Sequence, residues 1–349
     1  MNQQPSIADV AEQAGVSTAT VSRVLSGRPH VSNELRNKVN NAARAMGYRP
    51  NRVARNLRTQ RTQLIGLIVS DIQNPFYTSM VRAVEDVAYQ QQYSLLLCNS
   101  DEDPEKEQFY IEFMRDERVA GVIASPTSEA TTSLQALRDA GIPVVAIDRR
   151  SSSTPVDTVM LDHEKSAFEL TQHLISFGHQ RIAAIVGNMQ TTSGAERMKG
   201  FLNAIRAAGL SPDPELIRQV KPNEKEGYQA ALSLLSQPNP PTALFTGNNL
   251  ISMGALKAIQ TKQLRIPEDI SIAGHDDLPW MTLIQPALTV AAQPIYEMGR
   301  QATELLMLRI QGDDHPLREV RLQPTMMFRQ SCGPVIERRN GVYKAAKPQ

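Results

Sequence analysis

The chain has 349 residues, 41% hydrophobic and 21% charged, with a formal net charge of +1, which is enough apolar material for two or three domains and excludes a disordered chain. Two cysteines, Cys98 and Cys332, exclude a disulfide framework, and Cys98 closes an apolar run as a small buried hydrophobe. Residues 1–6 lack the basic and apolar stretches of a secretory leader and no apolar run has the length of a membrane span, so a cytoplasmic protein with no membrane partner is expected.

The charge is unevenly spread. Residues 1–62 hold ten Lys and Arg against three Asp and Glu, a net of +7; the remainder holds 27 against 33, a net of −6. A basic N-terminal module on an acidic body points to a polyanionic partner for the module. Ser6-Ile-Ala-Asp9 has the spacing of a capping box, and Ile7, Val10, Ala11 and Ala14 then share one helical face. Gly15 breaks that helix. Ser17 caps a second helix with the apolar stripe Val21, Val24 and Leu25. Ser32 opens a third, with Leu35, Val39, Ala42, Ala43 and Met46 inward and Gly47 at its stop. A helix, a short Gly-containing turn and a second helix form the helix-turn-helix pattern.

The outward face of the second helix is Ser17, Thr18, Ala19, Ser22 and Arg23. Small side chains let a helix enter the major groove, an Arg can bond guanine through two nitrogens, and short hydroxyls suit phosphates. Residues 51–58, after Tyr48-Arg-Pro50, are Arg-rich and short. They are marginal as a lone helix and expected to order on binding, with Leu57 as a minor-groove wedge.

Residues 6–62 resemble the headpiece of the LacI/GalR family of bacterial regulators. The carrying stretches are Ala8-Asp-Val-Ala-Glu-Gln-Ala-Gly-Val-Ser-Thr-Ala-Thr-Val-Ser-Arg-Val-Leu25 and Tyr48-Arg-Pro-Asn-Arg-Val-Ala54 followed by Leu57. The resemblance implies a helix-turn-helix headpiece over 1–49 and a hinge helix and linker over 50–62. It implies that Thr18, Ala19 and Arg23 read bases and that Ser17, Ser22, His30 and Asn51 fix the DNA backbone. Ser6 is counted with this DNA-binding set, and Leu57, with Ala54 beside it, enters the minor groove.

From residue 64 onward, apolar runs at 64–69, 94–98, 121–124, 143–147, 158–161, 181–186, 242–245 and 269–273 alternate with amphipathic stretches at 76–89, 165–177, 197–208, 227–235 and 252–261. This rhythm predicts an α/β body of parallel sheets covered on both faces, in two doubly wound halves. Ligands in such sheets sit beyond the C-terminal strand ends. There the chain places Ser70-Asp71, Asp148-Arg149, Asp162, Asn248-Asn249 and His275-Asp276-Asp277, and Asn74-Pro-Phe-Tyr77 adds aromatic faces. Asp and Asn at strand ends commonly cap and turn the chain, but the same set at matching points of two halves suits a hydroxyl-rich ligand.

The family resemblance extends to about residue 330. It implies a two-lobed effector domain over 63–335, similar to the periplasmic binding proteins, with an N-lobe of about 63–161 and 294–322 and a C-lobe of about 162–291 and 323–335. A polar tail, 336–349, follows. By resemblance Arg197 clamps the effector, Asp276 supplies a carboxylate, Asn248 an amide and Asp148 a strand-end acid, and Phe76 and Gln293 line the cleft. The expected effector set is Asp71, Asn74, Phe76, Tyr77, Asp148, Arg149, Asp162, Arg197, Asn248, Asp276 and Gln293. Arg149, Pro222, Asn249 and His275 depart from residues common in the family, leaving pentose, hexose, sugar acid and nucleoside open. Arg149 favours an anionic or hydroxyl-rich ligand.

No nucleophile elbow, P-loop, His-Glu-x-x-His or Cys-x-x-Cys occurs, so no catalytic residue, cofactor or metal is expected. Asp148 with Asp162 is the pair that glycoside hydrolysis would need, yet the same acids serve to hold sugar hydroxyls. His275-Asp276-Asp277 suggests a metal, but neighbours on an extended chain point to opposite faces. A transport-type sugar-binding protein is the rival class, set apart by the headpiece. One reading helix per chain calls for a homodimer on roughly palindromic double-stranded operator DNA. The expected function is repression relieved by a sugar effector; the alternative is co-repression or activation by a nucleoside, purine or sugar acid. The segment after Arg329 has no leucine heptad, so a coiled-coil tetramer is not expected.

Overall fold

The computed structural model describes residues 5–25, 31–48, 62–339 and 342–345. The chain divides into two units, Met1–Thr62 and Gln63–Gln349.

In the first unit, α1 (Ile7–Ala14), α2 (Thr18–Leu25) and α3 (Asn33–Ala45) enclose Val10, Ala11, Val21, Val24, Val39, Ala42 and Ala43. The capping box forms: the Asp9 amide donates to the Ser6 hydroxyl at 3.3 Å, and the Ser6 amide to the Asp9 carboxylate at 2.7 Å. Gly15 and Gly47 follow α1 and α3 at φ +65 and +62, the left-handed stops their positions predicted. Ile7, expected on the inward face, is instead 36% exposed, because it is the first helical residue and lies before the turn that meets α2 and α3. The hinge segment, apart from Thr62, falls outside the described residues, as do His30, Asn51, Ala54 and Leu57.

The second unit holds two six-stranded sheets. The first is ordered β11-β5-β4-β3-β1-β2, from β1 (Leu64–Val69), β2 (Ser94–Asn99), β3 (Gly121–Ala124), β4 (Val144–Ile147), β5 (Asp157–Leu161) and β11 (Glu319–Leu322). The second is ordered β12-β10-β9-β8-β6-β7, from β6 (Ile182–Val186), β7 (Ile217–Gln219), β8 (Ala243–Thr246), β9 (Ser271–His275), β10 (Thr289–Ala292) and β12 (Thr325–Met327). Within these two sheets every pairing is parallel except β10 with β12. The strand orders correspond one to one, so β4 of the first lobe matches β9 of the second. The last two strands, β13 (Ile336–Arg339) and β14 (Val342–Ala345), form an antiparallel pair within the tail.

All eight apolar runs are strands. The spacing did not mark β7, β10, β11 and β12, and three of these lie at sheet edges, where half-exposed side chains dilute the pattern. Central strands are fully buried on both faces; Leu67 and Phe245, each at 0% exposure, contribute about 1.5–3 kcal/mol apiece by leaving water. The covering helices are α4 (Pro75–Gln90), α5 (Pro104–Asp116), α6 (Gln135–Asp139) and α11 (Ile295–Ile310) for the first lobe. For the second they are α7 (His163–Ser176), α8 (Thr192–Ala207), α9 (Glu224–Leu235) and α10 (Asn249–Thr261). The chain crosses between lobes three times, at β5–α7, β10–α11 and β11–β12. No described helix is long and apolar enough to cross a membrane.

Candidate functional site

In the first unit, Val21 and Val24 fix the orientation of α2. Its other face carries Ser17, Thr18, Ala19 and Arg23, all exposed, and Ser22, half-buried. The Ser17 hydroxyl caps α2 by accepting from the Thr20 amide at 3.2 Å. The Ser6 hydroxyl is likewise engaged in its capping box. The helix therefore presents one cation among short side chains, the shape and charge a groove reader needs.

In the second unit, the C-terminal ends of both sheets open on one cavity of about 350 Å³, within the range of small-molecule sites. Ten of the eleven expected effector residues line it: Asp71, Asn74, Phe76, Tyr77, Asp148, Arg149, Arg197, Asn248, Asp276 and Gln293. Asp162 is not among the lining residues. It caps α7, accepting from the Lys165 amide at 3.1 Å, the ordinary role of a strand-end acid. Asn74 and Asn248 also cap helices, α4 and α10, and their helices start at the cavity wall. Capping and lining are thus one arrangement.

Asp148 and Asp276 hold equivalent places, at the ends of β4 and β9. Both adopt a left-handed backbone, φ +65 and +70, which costs a non-glycine residue about 1–3 kcal/mol and persists where its surroundings enforce it. Each amide is tied to the neighbouring strand: Asp148 to the Val159 carbonyl at 2.9 Å, Asp276 to that of Ala291 at 3.0 Å. The side chains then part in character. Asp276 accepts from the Asn249 side chain at 2.8 Å and from Gln293 at 2.5 Å. Asp148 is buried with its Oδ1 unpartnered; burial raises its pKa, opposed by the Arg149 and Arg197 guanidiniums.

Arg197, on α8, donates to the Gly247 carbonyl at 2.5 Å and to His163 Nδ1 at 3.3 Å. Since Nδ1 accepts, His163 carries its proton on Nε2 and donates to the Asp148 carbonyl at 3.2 Å. Burial, reinforced by Arg197, holds the His163 pKa well below its ordinary value. Arg149 donates to both oxygens of Glu102, at 2.9 and 2.6 Å, and to the Pro126 carbonyl at 3.2 Å. Asn249 bridges the lobes, donating to Asn74 Oδ1 at 2.8 Å as well as to Asp276. Phe76 and Tyr77 meet edge to face at 4.9 Å between ring centroids.

Four cavity-lining residues each keep a buried polar atom without a hydrogen-bond partner: Asp148 Oδ1, Arg149 Nε, Arg197 Nε and Gln293 Oε1. Native interiors leave few such atoms, because each costs about 1–3 kcal/mol when dry. Two donors and two acceptors on one cavity wall match the mixed capacity of hydroxyl groups. The wall also includes residues the sequence did not single out, among them Asp101 and Glu102 after β2, Asn188 and Thr191 after β6, and Lys221 and Asn223 after β7. The strand-end rule reaches all of them once β2, β6 and β7 are included. His275, Asp276 and Asp277 diverge: His275 meets Ser166 at 2.9 Å, Asp276 the cavity amides, and Asp277 the Arg329 guanidinium at 2.7 Å.

Comparison with known proteins matches both units. Residues 6–51 match the family described as bacterial regulatory proteins, lacI family, and residues 62–332 match the periplasmic binding proteins and sugar binding domain of the LacI family. The HTH-type transcriptional regulator DegA of Bacillus subtilis (strain 168) is 35% identical over 94% of this chain and 98% of its own length. A structure of the transcriptional regulator CelR in complex with cellobiose superposes with a TM-score of 0.72 at 30% identity, covering 94% of this chain and 99% of CelR. The lac repressor dimer bound to operator and the anti-inducer ONPF gives a TM-score of 0.83 at 28% identity, covering 94% and 99%. With a reading helix, a two-lobed ligand cavity and full-length likeness in hand, the chain belongs to the LacI family of bacterial transcription regulators.

Proposed function

We propose that this DNA-binding repressor acts as a homodimer on a roughly palindromic operator and leaves it when a sugar-type ligand fills the cavity. Arg23, Thr18 and Ala19 read bases, while Ser6, Ser17, Ser22, His30 and Asn51 hold the DNA backbone and Leu57, with Ala54, enters the minor groove. The single observation that carries the ligand half is the set of four buried polar atoms of the cavity lining that lack a hydrogen-bond partner, donors and acceptors that a polyhydroxyl molecule suits and an apolar ligand does not. Arg197 is the central clamp, since it reaches both Gly247 in one strand-end loop and His163 on α7. The cavity acids serve binding and not hydrolysis: Asp276 has both oxygens engaged by amides, and Asp162 caps a helix.

The experiment is a selection of duplexes on the full-length protein followed by release with a panel of sugars and nucleosides. Enrichment of a two-fold symmetric site and release by a sugar are the expected results. Enrichment of no sequence, or tighter DNA binding with every cavity ligand, contradicts the reading.

A further inference from the structure

Arg149 is the guanidinium best placed to bind an anion in the first lobe, yet its two terminal nitrogens are already spent. Both donate to Glu102, whose carboxylate lies in the same desolvated place, the side chains being 7% and 10% exposed. Glu102 arrives there on a strained loop. Asp101 and Glu102 are consecutive non-glycine residues with left-handed backbone, φ +54 and +60. The loop is held by Asn99 donating to Asp101 at 2.6 Å, by the Lys106–Asp101 ion pair and by the Asp103 amide on the Ser100 carbonyl at 2.9 Å. Strain of this kind is kept where the surroundings over-determine it, and here the strained segment delivers one carboxylate to one guanidinium.

The charge balance follows. Glu102, Asp148 and Asp276 face Arg149 and Arg197, and beyond them the wall adds Asp71 and Asp101 against Lys221. The cavity is net negative with Asp148 ionised and still not positive with Asp148 protonated. We infer that Glu102 sets the charge class of the effector: by occupying Arg149 it makes the cavity accept an uncharged polyhydroxyl molecule and turn away sugar acids and phosphates. The inference rests on the reading of this cavity as the effector site. It leaves the Arg149 Nε, which has no hydrogen-bond partner and lies 3.6 Å from the Asp148 carboxylate, as a single donor for a hydroxyl.

Calorimetric titration and thermal shift of the full-length protein test it, with wild type, Glu102→Gln and Glu102→Gln/Arg149→Gln. The probes are inorganic phosphate and neutral aldoses, each paired with its aldonic acid. Wild type is expected to bind an aldose and to show no saturable binding of phosphate or the matched acid. Glu102→Gln removes the two-oxygen partner of a buried cation and leaves it only Asp148, at 3.6 Å, so its melting temperature falls and phosphate restores it. Its affinity for phosphate and aldonic acids rises at least about tenfold, the weight of one charge-assisted hydrogen bond, and the double variant loses that gain. The inference is overturned by a folded Glu102→Gln protein with no gain in anion affinity, or by wild type taking an aldonic acid as tightly as its aldose. Should Glu102→Gln gain phosphate binding while no aldose binds wild type, the charge-class inference stands and the sugar-effector reading falls.

Discussion

Arg197 bonds the Gly247 carbonyl and His163, and its Nε, without a hydrogen-bond partner, is the atom proposed to meet the ligand. Arg197→Ala is expected to abolish the ligand-induced thermal shift and, by orphaning a buried carbonyl and a ring nitrogen, to lower unfolding free energy by about 1–3 kcal/mol in urea titration. A normal ligand shift removes Arg197 from the site. Buried histidines set the acid stability. His179 bonds Thr242 and Ser271, each at 2.9 Å, and burial lowers its pKa from 6.5 to about 4; burial also holds those of His163 and His275 well below the ordinary value. The unfolded chain therefore takes up protons first, and stability that is complete above pH 6.5 falls as pH drops toward 4. For His179 alone the loss between pH 7.5 and 5 is about 2 kcal/mol. Urea unfolding across that window should show it, and His179→Gln should flatten the slope; a pH-independent midpoint contradicts the assignment.

At the scale of the element, close approach of helices sets the site. A Cβ on Gly200 of α8 would lie 2.1 Å from the Glu164 carbonyl of α7, so only glycine lets the two helices meet and places Arg197 beside His163. Gly200→Ala is expected to cost more than about 2 kcal/mol, since overpacking forces backbone shifts, and to weaken ligand binding in the same protein; unchanged denaturation midpoint and affinity contradict that packing role. On α2, Arg23→Ala should lower discrimination between operator and random duplex by about 5- to 150-fold, the worth of one bidentate base contact, as read by competition binding, while ligand affinity stays put.

The elements were largely legible in the sequence, because buried parallel strands are written as unbroken apolar runs and helix starts as Ser, Asn and Asp caps. In the two large sheets the four strands that the runs did not mark are short, and β7, β11 and β12 are also half-solvated edges. The site was legible where a polar residue followed a strong run, as at Asp148, Asn248 and Asp276. It was illegible at Asp101-Glu102-Asp103-Pro104, which reads as a polar turn. Only the three-dimensional path shows that a left-handed pair of residues carries Glu102 to Arg149. Asp162 shows the converse: the right residue at the right strand end caps α7 and is not among the residues lining the cavity.

For the whole molecule, the proposed function requires linkage between ligand binding and operator binding. A ligand that prefers one arrangement of the two lobes alters operator affinity by the same factor by which operator alters ligand affinity. Within the body, the chain crosses between the lobes three times and Asn249 bonds Asn74 across them, so a ligand held by both lobes acts on their arrangement. The most direct measurement is the anisotropy of a labelled operator titrated with full-length wild type and Arg197→Ala, with and without a sugar that stabilises the wild type. The account predicts that the sugar weakens wild-type operator binding by about 5- to 150-fold and leaves Arg197→Ala unmoved. Operator affinity that stays constant while calorimetry shows the wild-type cavity filled would contradict it.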